Sequence, residues 1–298
     1  MYHHVKDARH PFPWVKGISL KRFREQLAFL QKRYRIIRLA DYVLYLRGER
    51  DDLPPRVALL TFDDGLREHA RVVVPILQRL RLPASFFPIT RSVLESKLTT
   101  AHKNHFLFHR FAVPELRQFV LRAVSPSLQR IEASPQHRRL AVERYRFDDP
   151  DTASFKFFVN HRLPFAVRDR VLDHLFQKHF RDEARIARQF YLSPSDIRAM
   201  STAGFEFGSH SHRHIVLARA SAAVQRRELA TSKRHLEAMI GKPVTALSYP
   251  FGHIGEFNET TIRIAKDLGL QAGLANIDTV NRGRVDPFRI ARKDTVLL

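Results

Sequence analysis

The 298-residue sequence predicts an α/β protein, an incomplete (β/α) barrel interrupted by a large helical insertion. Short apolar runs that stop at loops alternate with amphipathic stretches, the rhythm of βα units on a parallel sheet. That rhythm breaks off near residue 95 and resumes near residue 192. Between those points strand signals fade and helical ones dominate.

Leu20, Phe23, Leu27 and Leu30 share one helical face, so a helix is expected over Ser19 to Arg33 with Ser19 as its N-cap. Tyr34 to Leu39 is a short β-like run, and Asp41 is expected to cap a short helix that ends near Gly48. Glu49 to Pro55 is charged and Pro-bearing, hence a loop. Val57 to Phe62 reads as a buried parallel strand that stops at Asp63-Asp64-Gly65. Arg67 to Arg81 is helical, with Val73, Ile76, Leu77 and Leu80 on one face, and Pro83 to Phe87 is the next strand.

Residues 95–191 form the expected insertion, with helices at Pro114 to Val124, Phe155 to Phe158 and Val167 to Phe180. An insertion after a barrel strand emerges on the face that carries active sites, so it is expected at the rim beside the site. Phe106, Phe108, Phe111, Tyr145, Phe157 and Phe158 are expected mostly to pack its own core. A minority would line the approach to the site and recognise a lipid carrier or sugar ring, and Lys97, Lys103, Arg110 and Arg117 would then face a phosphate or an anionic membrane leaflet. The alternation then resumes: a helix with Pro194 in its first turn, a strand at Phe205 to Gly208, and a helix from Ser221 to Ile240 closed by Gly241. Val244 to Tyr249 is a strand, Asn258 to Leu268 a helix, and Gln271 to Asn276 and Phe288 to Ala291 are the last strands. Residues 1–94 and 192–298 are thus assigned to the barrel and 95–191 to the insertion.

Composition removes several function classes. With no Cys there is no disulfide framework, thiolate metal site or Cys nucleophile, so a metal must be held by His and carboxylates. No run of 18 apolar residues suggests a spanning helix, and the first residues lack an apolar signal core, so the expected compartment is the cytoplasm, with a peripheral position at the inner membrane face. Lys and Arg number 51 against 30 Asp and Glu, a net +21 that invites anionic partners. The charge is spread: residues 95–188 hold about a third of it, with no basic tail and no RNA-binding fingerprint, which argues against nucleic acid.

Three motifs carry chemistry, each after a predicted strand. Two successive carboxylates, Asp63 and Asp64, make sense where a strand ends and turns, because both then reach one site; alone, they also read as an Asp-Gly turn with a helix cap. In Ser209-His210-Ser211-His212-Arg213-His214, one helical turn would put His210 and His214 on one side, a spacing suited to two imidazoles on a zinc-like ion; alone, it also reads as a His-rich loop. Together Asp64, His210 and His214 offer one oxygen and two nitrogens with a position left open, the pattern of a catalytic zinc site, and Asp63 is left to act as general base. In Ser248-Tyr249-Pro250-Phe251-Gly252-His253, Pro and Gly bracket a turn that can aim a backbone N–H into the site.

These motifs, with Ala84 to Phe87 and Asp286 to Arg292, resemble the polysaccharide deacetylases, the NodB-homology carbohydrate esterases, over roughly 1–92 and 192–298, with the insertion outside the shared core. The resemblance implies a distorted (β/α)₇ TIM-like barrel and metal-dependent removal of N-acetyl (sometimes O-acetyl) groups from a sugar or glycan. It implies one divalent ion on Asp64, His210 and His214, zinc foremost, with cobalt, nickel and manganese as alternatives. Asp63 matches the base, and Phe251 would lend its backbone N–H to the oxyanion. Two departures stand out. The Arg that many members carry before the motif Pro is absent, Ser248 and Tyr249 lying there instead, and Arg292 is expected to supply the charge. Ser248, Tyr249 and Arg292 are expected on the substrate side. The late Leu-x-His motif with the general acid is also absent, and His253, His3 or His4 is expected in its place. The substrate would be an N-acetylated, lipid-linked or nucleotide-linked glycan precursor. The competing readings are an amidohydrolase acting on a non-sugar amide or cyclic imide, and a glycan-binding barrel that has lost catalysis.

Overall fold

Ser19 accepts the Arg22 amide at 3.2 Å and starts a helix over Leu20–Arg33 that buries Phe23, Leu27 and Leu30. The computed structural model describes residues 1–295.

All strand pairs are parallel. Strands β1 (Val5–Lys6) and β2 (Ile18–Ser19) make one pair, and β3 (Arg35–Ile36) and β4 (Val57–Ala58) a second. Strands β5 (Thr61–Asp64), β6 (Ser85–Pro88) and β7 (Glu206–Phe207) form a sheet in that order. Strands β8 (Ala246–Ser248), β9 (Ala272–Ala275) and β10 (Ile290–Ala291) form another, with β9 in the middle. Isolated bridges extend this arrangement: Tyr2 pairs with Phe62 beside β5, and Ser209, just past β7, pairs with Leu247 in β8. No closed barrel is found among the described residues. Ladders of two to four residues are too short to run on from one sheet into the next, and a single bridge, Ser209 to Leu247, joins the two three-stranded sheets.

The chain divides into two compact units, Met1–Lys97 with Arg185–Leu298, and Leu98–Ala184. The first holds every strand. Its core is aromatic where β5 and β6 meet, with Phe62 stacked on Phe86 at 4.9 Å and on Tyr2 at 5.1 Å. Gly65 ends β5 at φ +69°, and a Cβ there would fall 2.5 Å from the Pro88 side chain, so only Gly fits. The second unit is helical, and several of its helices, such as Pro135–Arg144 and Pro150–Phe157, open on Pro. Phe106, Phe176 and Phe180 form one ring cluster inside it, and Phe157 packs with Ala141 and Ala153. Two of the cations expected to face an anion are paired within the unit, Lys103 in its interior and Arg117 from a partly exposed position. Lys103 is buried against Asp173 and Glu183, and Arg117 grips Glu132 with two bonds of 2.6 and 2.7 Å.

The short helix after β3 runs over Leu39–Leu46, and Arg38, not Asp41, precedes it. Its first amides are satisfied from far along the chain: the Glu206 carboxylate accepts from Leu39 at 2.9 Å and Ala40 at 3.0 Å. Arg67 to Arg81 divides into a π-turn at His69–Val73 and an α-helix at Val74–Leu80. Phe288 lies in a 3₁₀ turn, so the last strand is only Ile290–Ala291.

Candidate active site

Strand β5 delivers Asp63 and Asp64 side by side, and both are buried. Asp64 manages this with a left-handed backbone at φ 70°, which swings its side chain out of strand alternation. The segment after β7 brings His210 and His214 to the same place. It contains no helical turn: Ser211 and His214 are themselves left-handed, at φ 58° and 57°, and the Ser211 hydroxyl accepts the His214 amide at 3.0 Å. The irregular loop, not a helix face, therefore apposes the two rings, whose centroids lie 4.8 Å apart.

Asp64 Oδ1 stands 3.5 Å from His210 Nε2 and 3.7 Å from His214 Nε2. Two ligands about 2.0–2.1 Å from a tetrahedral ion stand roughly 3.4 Å apart, so these separations suit one ion. His210 Nδ1 lies 2.8 Å from the Ser248 carbonyl and donates its proton there, which turns the Nε2 lone pair toward Asp64. Burial disfavours a charged His210, but the Asp63 and Asp64 carboxylates outweigh it and raise its basicity, so the pocket favours positive charge. On donor type, spacing and field, Asp64, His210 and His214 fit a divalent cation.

Asp63 does not share in this triad. Arg292 donates to both of its oxygens, at 2.9 and 2.8 Å, and the Ser248 hydroxyl donates at 3.1 Å. Burial alone would raise the carboxyl; the Arg292 guanidinium, aided by His210 and His3, holds it well below the usual carboxylate range. Arg292 thus supplies the charge that residues 248 and 249 lack. Ser248, fully buried, also accepts from Arg292 at 2.8 Å and orients Asp63 instead of facing a substrate. Tyr249 does not face a substrate either. It is a core residue, its ring stacked on Phe257 at 3.9 Å and its hydroxyl bonded to the Phe288 carbonyl at 2.9 Å. Alternation explains the error: Ser248 points inward, so its neighbour points away.

Phe251 also has a left-handed backbone, φ 61°, and its ring lies 4.8 Å from that of His214. Four of the six described non-glycine residues with positive φ (Asp64, Ser211, His214 and Phe251) thus gather here, a concentration of backbone strain typical of functional sites. The two acid candidates differ. His253 Nε2 is 3.0 Å from the Asn276 amide, and its own amide donates to Glu256. His3 follows Tyr2, whose amide donates to Thr61 and whose carbonyl accepts from Asp63. Tyr2 and Phe62 stack on one face, so His3 and Asp63, one step on, share the other. His212, the middle His of the motif, turns away to Thr90.

The sequence profile of the polysaccharide deacetylase family matches residues 50–121 and 155–273. The match enters the helical unit from both sides and skips only its middle, so the insertion is not wholly outside the shared core. Among curated proteins the chain is similar to "Putative polysaccharide deacetylase YxkH" of Bacillus subtilis (strain 168), at 29% identity over 89 residues. That alignment takes in 30% of this chain and about a third (31%) of the relative's length. Among solved structures it resembles the deacetylase PplD of Streptococcus pyogenes in complex with acetate, at a TM-score of 0.60 and 16% identity, over 98% of this chain and 89% of that one. It also resembles IcaB from Ammonifex degensii, at a TM-score of 0.59 and 18% identity, over 98% and 88% of the two chains. At such identities these two likenesses speak for the fold. The profile takes in well over half of the sequence, with Asp63, Asp64, His210, His214 and Phe251 inside it, and the chain belongs to the polysaccharide deacetylase family.

Proposed function

We propose that this protein hydrolyses the N-acetyl group of a sugar within a glycan, with a divalent ion, zinc foremost, on Asp64, His210 and His214. The observation that carries the reading is the separation of roles between adjacent carboxylates. Asp64 faces two imidazoles, while Asp63 is held ionised by Arg292 beside them. When bound, the ion supplies Lewis acidity toward the acetyl carbonyl and makes a nearby water more acidic.

The chain's own groups account for the proton movements. Asp63 accepts the proton of the attacking water as its oxygen adds to the acetyl carbon. Arg292 and Ser248 fix the carboxylate's orientation at the expense of some basicity. The Phe251 N–H is assigned to the developing oxyanion, which the left-handed turn beside His214 supports. The C–N bond then breaks, and His3 protonates the leaving nitrogen, giving acetate and a free amine. His3 is preferred to His253 because it shares a face with Asp63, whereas the His253 ring is engaged by Asn276. Lined up through the single bridges, Tyr2, β5, β6, β7, β8, β9 and β10 are read as an opened, distorted (β/α)₇ barrel, with this site at the strand ends. The net charge of +21 supports a substrate on an anionic carrier at a membrane surface.

Acetate release from a panel of N-acetylated glycans tests the reaction. Asp63→Asn should keep its ion and lose about 10²–10⁴-fold in turnover, the usual worth of a general base. Near-normal turnover in the ion-loaded variant would show that another group takes the proton. His3→Gln should lose far more activity than His253→Gln, and the reverse order would return the acid role to His253.

A further inference from the structure

We propose that His4, His10 and Glu68 form a second divalent-cation site, distinct from Asp64, His210 and His214, that fastens the loop between β1 and β2 to the sheet. The three residues come from separate segments. His4 lies just before β1, His10 lies in the loop after it, and Glu68 stands at the head of the π-turn that follows the paired aspartates. Their ligating atoms all lie within 4.8 Å of one another. Glu68 Oε1 is 2.7 Å from His4 Nδ1 and 3.6 Å from His10 Nε2. The side chains of His4, His10 and Glu68 are only 4%, 6% and 7% exposed, so this is a built pocket and not a surface cluster.

Two imidazoles with one carboxylate are a ligand set suited to zinc. The surroundings also match a metal pocket. His10 Nδ1 lies 3.0 Å from the Phe12 carbonyl and 3.2 Å from the Phe12 amide, contacts that hold the ring with Nε2 toward Glu68. The rings of Phe12 and Phe190 close the pocket, with Phe190 5.3 Å from the His4 ring and 5.7 Å from that of Phe12. The 3.6 Å separation already matches the edge of a tetrahedral site, roughly 3.4 Å. The 2.7 Å contact is a hydrogen bond, so cation entry displaces the shared proton and parts His4 from Glu68 by several tenths of an ångström. Arg9 and Pro11, on either side of His10, are exposed, which puts the entry path at the loop.

The test is the zinc content of the full-length protein, loaded with excess Zn²⁺, dialysed against metal-free buffer and measured by elemental mass spectrometry. Two ions per chain are expected for the wild type, one for His10→Ala and one for His214→Ala. Glu68→Gln provides a second route to the same loss should His10→Ala fail to fold. Zn²⁺ should also raise the unfolding temperature of His214→Ala, and this rise should vanish when His10→Ala is added. One ion in the wild type together with none in His214→Ala, or two ions in both folded His10→Ala and Glu68→Gln, would overturn the proposal. Both results are independent of whether the protein deacetylates anything.

Discussion

Arg292 reaches Asp63 across 229 positions of sequence, and with Ser248 it fills the hydrogen-bonding demand of a buried carboxylate. A buried ion pair of this kind matters most when one partner is removed, because the other is left charged and desolvated. Arg292→Met should therefore lower unfolding stability by about 3–5 kcal/mol in a urea titration and abolish most activity. Arg292→Lys keeps the charge but loses the two-pronged grip, so it should retain more stability than the Met variant while still losing turnover. Wild-type stability in Arg292→Met would mean that Asp63 needs no counter-charge. At this scale much of the site was readable in advance. Asp63, Asp64, His210 and His214 sit in short motifs, so their grouping is written in adjacency. Arg292 was named for the missing charge from the Asp286–Arg292 stretch, but no local pattern ties position 292 to position 63, so its grip on Asp63 was legible only through the resemblance. Tyr249 was misread because a motif does not say which of two neighbouring residues faces inward.

Among the elements, Glu206 shows how distant chain segments settle local structure. It lies in β7, yet its carboxylate accepts two amides at the start of the helix Leu39–Leu46 and the Ser85 hydroxyl at 2.9 Å in β6. Asp41 looked like the cap because helix starts are ordinarily satisfied from within a few residues. Here the acceptor arrives more than 160 residues later. Glu206→Ala should cost about 1–2 kcal/mol of stability, the scale of a lost cap, with ion content and turnover of the folded protein unchanged. A denaturant titration checks the first part, and a fall in ion content would show that the cap also holds the site. The Ser209–His214 segment illustrates the opposite limit. Spacing of four suggested a helical turn, but Ser211 and His214 adopt left-handed backbones that no residue preference announces. The helices were easier to read because their apolar faces repeat over many residues, whereas strands of two to four residues offer one or two inward positions each.

At the level of the whole molecule, the two units differ in what they carry. Leu98–Ala184 contains 15 Lys and Arg against 10 Asp and Glu, a net +5 of the total +21, and its aromatic residues largely pack its own interior. All residues assigned to chemistry (His3, Asp63, Asp64, His210, His214, Phe251 and Arg292) belong to the other unit. That division predicts the outcome of replacing residues 98–184 with a flexible Gly/Ser linker. The shortened chain should fold cooperatively, bind its ion at the Asp64 site and deacetylate small N-acetylated sugars, because its hydrophobic core and its ligands are intact. Its rate on a long glycan should fall by at least tenfold if the helical unit contributes to substrate recognition, since remote binding energy is lost while the reacting groups stay in place. Circular dichroism, ion content and acetate release on short and long substrates separate the cases. Full activity on both would leave the helical unit without a part in recognition. A shortened chain that folds but holds no ion at the Asp64 site would show that the assigned ligands need the helical unit to converge.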